Sequence, residues 1–382
     1  MSLRILLRKC IKNSSPFFFT LVTLIMTSTG SFAAPLSAPL SGAQINYPNL
    51  SGEVKTELQS EWVTAADEPI KERGNTFLNT DLSIDLQLTQ HLTIESTTLL
   101  EPVRDFDPGK NTYFDEEAVF IEELLLKYEN GPWELIAGKF NPYYKGSREQ
   151  ERGIFTEEFS KEYEITGKIG LGSSYSYQNN VMGKATLSAN AFVNDATFLA
   201  KTIGHDKQDK CNNNHELSSA VLLEGYNLAG IKTLYYQLGY RHLDACKLGD
   251  DRETGFLATV GNIVDFRLSK RLKTDLLTEF SYVEDFEGTN NNNQYYSISS
   301  VTTLDDVWNL SIGYTARVTS VGDIIEDEAI IKGRNSHDHL VTISAGYNSG
   351  KGLRIDAGWL NTEESRLDTS TLGLLVRYEA YF

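Results

Sequence analysis

Beyond its N-terminal segment, this 382-residue chain has no apolar run near the ~18 residues that a membrane-spanning helix needs. It also lacks a phosphate-binding glycine loop, a helical zinc motif and a nucleophile elbow. Its histidines (His91, His205, His215, His242, His337 and His339) fall mostly at expected strand ends or in connections. None is placed to complete a triad, so no catalytic residue is expected. Positive charge is scarce, with 35 basic against 52 acidic residues. That balance excludes nucleic acid as a partner. Cysteine is rare, and no Pro-rich or Ser-rich linker divides the chain.

The N-terminus supplies the one apolar run. Arg4, Arg8, Lys9 and Lys12 precede a short apolar core from Phe17 to Met26, and Ser31-Phe32-Ala33 follows as a small-residue site. This is the pattern of a secretory signal peptide over 1–33, too short to span a bilayer. A small polar lead-in over 34–49 and a single domain over 50–382 are expected beyond it. Removing the leader's basic residues takes the net charge from −17 to roughly −21. Such charge suits a protein in contact with divalent cations, or a pore that repels anions.

The rest reads as short alternating segments. Sixteen strands are expected near 50–63, 75–88, 91–103, 117–129, 132–140, 161–178, 181–194 and 216–226. The series continues near 231–243, 254–268, 271–284, 294–304, 307–319, 337–347, 351–361 and 370–382. In the first, Gly52, Val54, Thr56, Leu58, Ser60 and Trp62 oppose Glu53, Lys55, Glu57, Gln59 and Glu61. A period of two with one apolar and one charged face describes a strand between hydrocarbon and water. The fourth segment breaks the pattern at Glu122-Glu123, and its faces stay unassigned.

Connections alternate in length. Those from odd to even strands are long and polar, such as 64–74, 141–160, 195–215 and 320–336. Those from even to odd are tight, such as Asn130-Gly131, Asn179-Asn180 and Asp305-Asp306, with hairpin composition. Eight long loops on one side and seven short turns on the other describe an all-β, up-and-down antiparallel transmembrane barrel of about 16 strands. Trp62, Trp133, Trp308 and Trp359 share the lipid-facing parity, as interfacial aromatics do.

Lumen-facing charge is uneven. Glu53, Glu57, Glu61, Asp81, Asp85, Glu95 and Glu101 load the first strands with acid. Arg241, Arg267, Lys273, Arg317, Arg354 and Arg377 put basic residues on the later wall, diluted there by Asp265, Asp275, Glu279, Asp356 and Glu379. Two readings stay open: a transverse field across the lumen, or local cross-strand ion pairs. Cys211 and Cys246 lie in the long connections flanking one hairpin, where an exported chain can close a structural disulfide. His337 and His339 share one face and could bind metal only with further ligands such as Asp323 or Asp327. A solvated strand end accounts for them, and neither metal nor cofactor is expected.

Two stretches resemble known families. The terminal strand, apolar at Leu372, Leu374, Val376, Tyr378, Ala380 and Phe382, resembles the last strand of Gram-negative outer-membrane barrels. That resemblance implies outer-membrane lipid and lipopolysaccharide as surroundings, and recognition of the strand ending in Phe382 by the barrel assembly machinery. The run Gly138-Lys-Phe-Asn-Pro-Tyr-Tyr144, a long third loop and then Glu164-Ile-Thr-Gly-Lys-Ile-Gly-Leu-Gly172 resembles the phosphate-selective and siderophore-type porin families. It covers about fifty residues. It implies passive diffusion of small hydrophilic solutes or ions through a water-filled lumen, and a possible homotrimer. It also implies a third loop folded into the lumen, with Lys145, Arg148, Glu149, Glu151, Arg152, Glu157 and Glu158 at the constriction. The alternative is that this loop covers the outer mouth. Its mixed signs depart from the clustered cations of phosphate selectivity. Uptake of an iron-siderophore or oxyanion, and an occluded barrel acting as an adhesin, remain alternatives.

Overall fold

The computed structural model describes residues 46–382 except 69–71, 105–108, 145–152, 156–158, 206–216, 245–251, 266–270, 323, 327–328 and 332–334. Sixteen antiparallel strands form the wall: β1 Asn49–Ala66, β2 Gly74–Gln87, β3 Leu92–Pro102, β4 Glu117–Asn130, β5 Trp133–Phe140, β6 Lys168–Asn179, β7 Gly183–Val193 and β8 Ser218–Tyr226. They continue as β9 Leu234–Leu243, β10 Glu253–Asp265, β11 Leu272–Glu284, β12 Asn291–Leu304, β13 Trp308–Val321, β14 Ser336–Asn348, β15 Leu353–Glu364 and β16 Leu367–Tyr381. Each strand pairs with its neighbours in sequence. β16 then pairs with β1, from Glu53↔Tyr381 to Ala66↔Thr369, and closes the barrel. Two-residue strands at Thr112–Tyr113 and Ile203–Gly204 add to the edges of β2 and β4.

Closure matters because hydrocarbon offers backbone groups no partner, so an open sheet edge is excluded from a bilayer. The outer surface fits that solvent. Leu126, Leu135, Leu238, Phe256, Leu310, Ile312 and Ile343 are all exposed, at alternate strand positions. The four tryptophans are exposed too, as their parity requires. Trp359, however, lies within β15 because that strand runs on to Glu364.

The eighth outer connection, expected over 362–369, is a two-residue turn. Ser365 and Arg366 both hold positive φ, and the Ser365 amide donates to Asp338 Oδ1 at 2.8 Å. The interrupted pattern of the fourth segment also has a physical cause. The β3–β4 register shifts between Thr97 and Thr98, whose partners are Glu123 and Ile121. Glu122 is the extra residue of a bulge, which turns the alternation over by one position.

Candidate functional site

Described residues of the connection between β5 and β6 reach into the lumen. They do not cover the outer mouth; they pack inside the barrel. Tyr144, Ile154, Phe155, Phe159, Tyr163 and Ile165 form one buried cluster with Phe192, Ala220, Leu257, Val283, Tyr295, Leu340, Leu360 and Leu375. The wall members come from β7, β8, β10, β11, β12, β14, β15 and β16, so the segment lies against the later wall.

Glycines make room for it. A Cβ at Gly373 would run into the Phe155 ring and Ile154, and one at Gly358 into Ile154. Elsewhere on these strands the same face carries bulkier groups, so the loop seats where the wall is bare.

Polar anchors fix the end of the connection, which forms a single 3-10 turn over Ser160–Tyr163. The Tyr163 hydroxyl donates to Glu279 on β11, and its ring lies 5.0 Å from that of Tyr295 on β12. Arg241 on β9 donates to the Tyr163 carbonyl, pairs with Glu253 at 2.5 Å, and stands 5.1 Å from the Tyr144 ring centre. Arg317 on β13 pairs with Glu162 and, at 2.9 Å, with Asp338 on β14. Its guanidinium also lies 4.6 Å from the Phe159 ring centre. The Tyr295 hydroxyl donates to Glu162 Oε2 at 2.6 Å. Burial raises the Glu162 carboxyl above its ordinary range, although Arg317 and Tyr295 pull it down. Burial likewise pushes the Tyr144 phenol up to about 12.

The opposite wall is different. Lys55, Asp81, Glu95 and Lys127 keep between a fifth and two fifths of their side chains accessible inside the barrel. These charges are paired locally: Glu57 with Arg377 at 2.5 Å, Lys55 with Glu57 at 3.0 Å and Asp81 at 3.7 Å, and Lys127 with Glu95. Glu53 faces Ser83 and Tyr381 in register, and the exposed Asp85 faces Glu95.

The basic residues expected on the later wall divide similarly. Arg354 pairs with Asp356 at 2.6 Å, while Arg241 and Arg317 are taken up by the anchors above. Every described arginine of that set has an acid beside it, which is the arrangement of local pairing. Arg267 lies outside the described residues, as do Lys145, Arg148, Glu149, Glu151, Arg152, Glu157 and Glu158 of the third loop, and Cys211 and Cys246.

Of the anchoring residues, Glu279 was expected on the lumen face, whereas Glu162, Tyr163, Glu253, Tyr295 and Asp338 escaped the sequence reading as site residues. One signal for them was present: the connection 141–167 is rich in Tyr, Phe and Ile, a poor composition for a loop in water.

One further cluster could attract a cation. Ligand atoms of Asp115, Glu116 and His205 lie within 4.8 Å of one another where the β3–β4 and β7–β8 connections meet. Arg104, 3.5 Å from Glu116, and Lys110, 3.9 Å from Asp115, already face those carboxylates.

No family model matches the sequence, and no curated protein does. Solved structures match the fold. The outer-membrane channel DcaP of Acinetobacter baumannii superposes with a TM-score of 0.52 at 13% identity, over 87% of this chain and 96% of that one. A loop L8 deletion mutant of OmpT, an outer-membrane protein of Vibrio cholerae, gives 0.52 at 10% identity, over 87% and 98%. OccK8 (OprE) of Pseudomonas aeruginosa gives 0.51 at 11% identity, over 87% and 98%. What is shared at such identities is the fold. The chain is a closed 16-stranded antiparallel β-barrel, the fold of these outer-membrane proteins. The match reaches that class as a whole and does not single out the phosphate-selective or siderophore-type group.

Proposed function

We propose that this protein is a passive outer-membrane channel for small hydrophilic solutes, with a preference for cations. One observation carries the reading. Lumen-facing residues of the later wall are buried beneath the docked connection, whereas the charged side chains of Lys55, Asp81, Asp85, Glu95 and Lys127 on β1–β4 stay accessible to water. A water-lined path therefore runs along the acid-rich wall. Glu53, Glu57, Asp81, Asp85 and Glu95 outnumber Lys55, Lys127 and Arg377 there. Local pairing removes a transverse field but leaves the net negative potential, which concentrates cations and repels anions.

In this reading the leader directs export, the strand ending in Phe382 is what the barrel assembly machinery recognises, and the barrel sits among lipid and lipopolysaccharide as a homotrimer. A Cys211–Cys246 disulfide restrains the outer connections. Charges of the third loop, Lys145 to Glu158, complete the constriction.

The test is single-channel conductance of the refolded protein in a planar bilayer under a salt gradient. Steady conductance with a cation-favouring reversal potential is expected. A folded barrel that stays silent overturns the channel reading in favour of an occluded surface barrel. Selective uptake of an oxyanion or iron-siderophore is the second reading, supported by the Gly138–Tyr144 resemblance. Micromolar binding of one such solute, with anions carrying the current, favours it. The described arginines of the later wall speak against it, since each is already matched by a carboxylate.

A further inference from the structure

We propose that the wall has a lateral opening above Phe140, closed at rest by the 194–205 segment, through which solutes with an apolar body pass between lumen and lipid. This route is separate from the water-lined path.

The opening follows from a strand that is too short. β5 has eight residues, where a strand crossing a bilayer needs about 9–11. The β4–β5 ladder stops at Leu124↔Lys139 and the β5–β6 ladder at Phe140↔Lys168, where the third connection turns inward. β4 runs on to Glu117. Among the described residues, its edge there is met by Ile203–Gly204, through Ala118↔Gly204 and Val119↔Ile203. The strap carrying those two residues leaves β7 at Asn194 and crosses the ends of β6 and β5. Lys168 donates to the Asn194 side chain at 2.7 Å, and Lys139 to the Leu199 carbonyl at 3.0 Å. Nδ1 of His205 donates to the Glu117 carbonyl at 3.2 Å.

The outer surface of the strap suits lipid. Phe198 and Ile203, 76% and 77% accessible, are the most exposed large hydrophobic residues among those described. Lys139 has the outward parity of Trp133 and Leu135, yet its side chain is only 5% accessible. The strap covers it and supplies Asp195 at 2.9 Å. A wall serving only as a seal would carry apolar groups here, since a buried ion pair gains little over packed hydrocarbon. The pair instead gives the strap one discrete seat. Two ladder pairs, a 3-10 turn over Phe198–Ala200 and that ion pair are weaker ties than the continuous ladders around them. The strap therefore opens at a lower free energy than the rest of the wall.

The inner side selects the solute. Leu125, Ile136 and Phe140 pack with Tyr143 into an apolar patch on the lumen face below the strap. Glu95 lies opposite Leu125 in the β3–β4 register, so the patch borders the acid-rich wall. An apolar body resting on that patch reaches hydrocarbon when the strap lifts.

The experiment locks the strap. Val119→Cys with Ile203→Cys is made in a chain carrying Cys211→Ser and Cys246→Ser. Directly opposed strand residues stand about 4.5–5.5 Å apart, within disulfide reach. The probe is N-phenylnaphthylamine, which fluoresces in hydrocarbon, added to Gram-negative cells whose lipopolysaccharide retards its entry. Cells with the wild-type barrel are expected to take it up faster than cells without it. Oxidation of the cysteine pair should bring the rate down to that of cells without the barrel, and reductant should restore it. Asp195→Asn, which strands Lys139, should raise the rate. Should the cysteine pair fail to give a heat-modifiable barrel, Asp195→Asn decides alone, and an unchanged rate there overturns the proposal. An oxidised pair as permeable as the reduced one, or no excess uptake in wild type, overturns it whether or not the barrel conducts ions. A barrel silent in planar bilayers whose oxidised pair still blocks the probe overturns the channel reading and leaves the lateral route standing.

Discussion

Phe382 and Gly52 exchange both of their backbone hydrogen bonds, each at 3.0 Å, and the Phe382 ring lies over the bare Cα of Gly52. The last residue of the chain thereby seals the seam where β16 meets β1. Only glycine fits beneath it, because a Cβ would collide with the ring and with the Ser83 carbonyl. Gly52→Val is expected to cost about 1–3 kcal/mol, as overpacking does. The measurement is the temperature at which the folded band shifts in unboiled gel electrophoresis. An unchanged transition would mean that the seam tolerates a side chain there.

Gly373 leaves the space that Phe155 occupies inside the barrel. Gly373→Val should displace the docked connection while leaving strand pairing intact. The expected outcome is altered single-channel conductance with an unchanged folded-band transition. Equal conductance would place the connection away from the conducting path.

Arg241 is almost fully buried and pairs with Glu253. Arg241→Met strands that carboxylate, at an expected cost of about 3–5 kcal/mol. Adding Glu253→Gln removes the stranded charge and should restore most of the loss. A double variant no better than the single one would show that the bond to the Tyr163 carbonyl, not the ion pair, carries the stability.

Asp85 is exposed on the lumen face of β2, opposite Glu95. Asp85→Lys combined with Glu53→Lys should move the reversal potential toward anions, since it reverses two charges on the accessible wall. A reversal potential unmoved by both changes would place the selectivity filter elsewhere.

Tyr144 carries a pH dependence at the alkaline end. Burial against the Arg241 side of the lumen pushes its phenol up to about 12. The docked value exceeds the ordinary one of about 10, so its contribution is complete below that pH and is lost as pH rises toward 12. Protection of the docked segment should therefore fall in that window. Tyr144→Phe, which cannot ionise, should retain protection further into alkali.

The barrel was legible because its cause is local. Alternation in β1, where Glu53, Lys55 and Glu57 oppose Val54, Thr56 and Leu58, needs only a two-residue period and a boundary between lipid and water. Turn residues such as Asn130-Gly131 mark hairpins by their own backbone preferences. Two local features misled. Glu122-Glu123 looked like a broken strand because a bulge cannot be told from a fault in periodicity until the partner strand is known. The last outer connection looked long because Asp368 and Thr369 are polar, although they pair in the wall with Glu363 and Thr362.

The candidate site was much less legible. The Tyr, Phe and Ile content of the β5–β6 connection was passed over in favour of its polar residues, and lumen parity marked Arg241 and Arg317 as inward-facing. Neither could say that these arginines would serve the connection.

By itself, the amino-acid sequence determined an antiparallel barrel with an acid-loaded first wall and an aromatic terminal strand, because each of these is written in neighbouring residues. Only the tertiary structure decided that the third loop turns inward, that the charges pair locally, and that Glu162 meets Arg317 across 155 positions of chain. Those contacts form when closure brings opposite walls within reach of one segment. No period or spacing along the chain encodes that meeting.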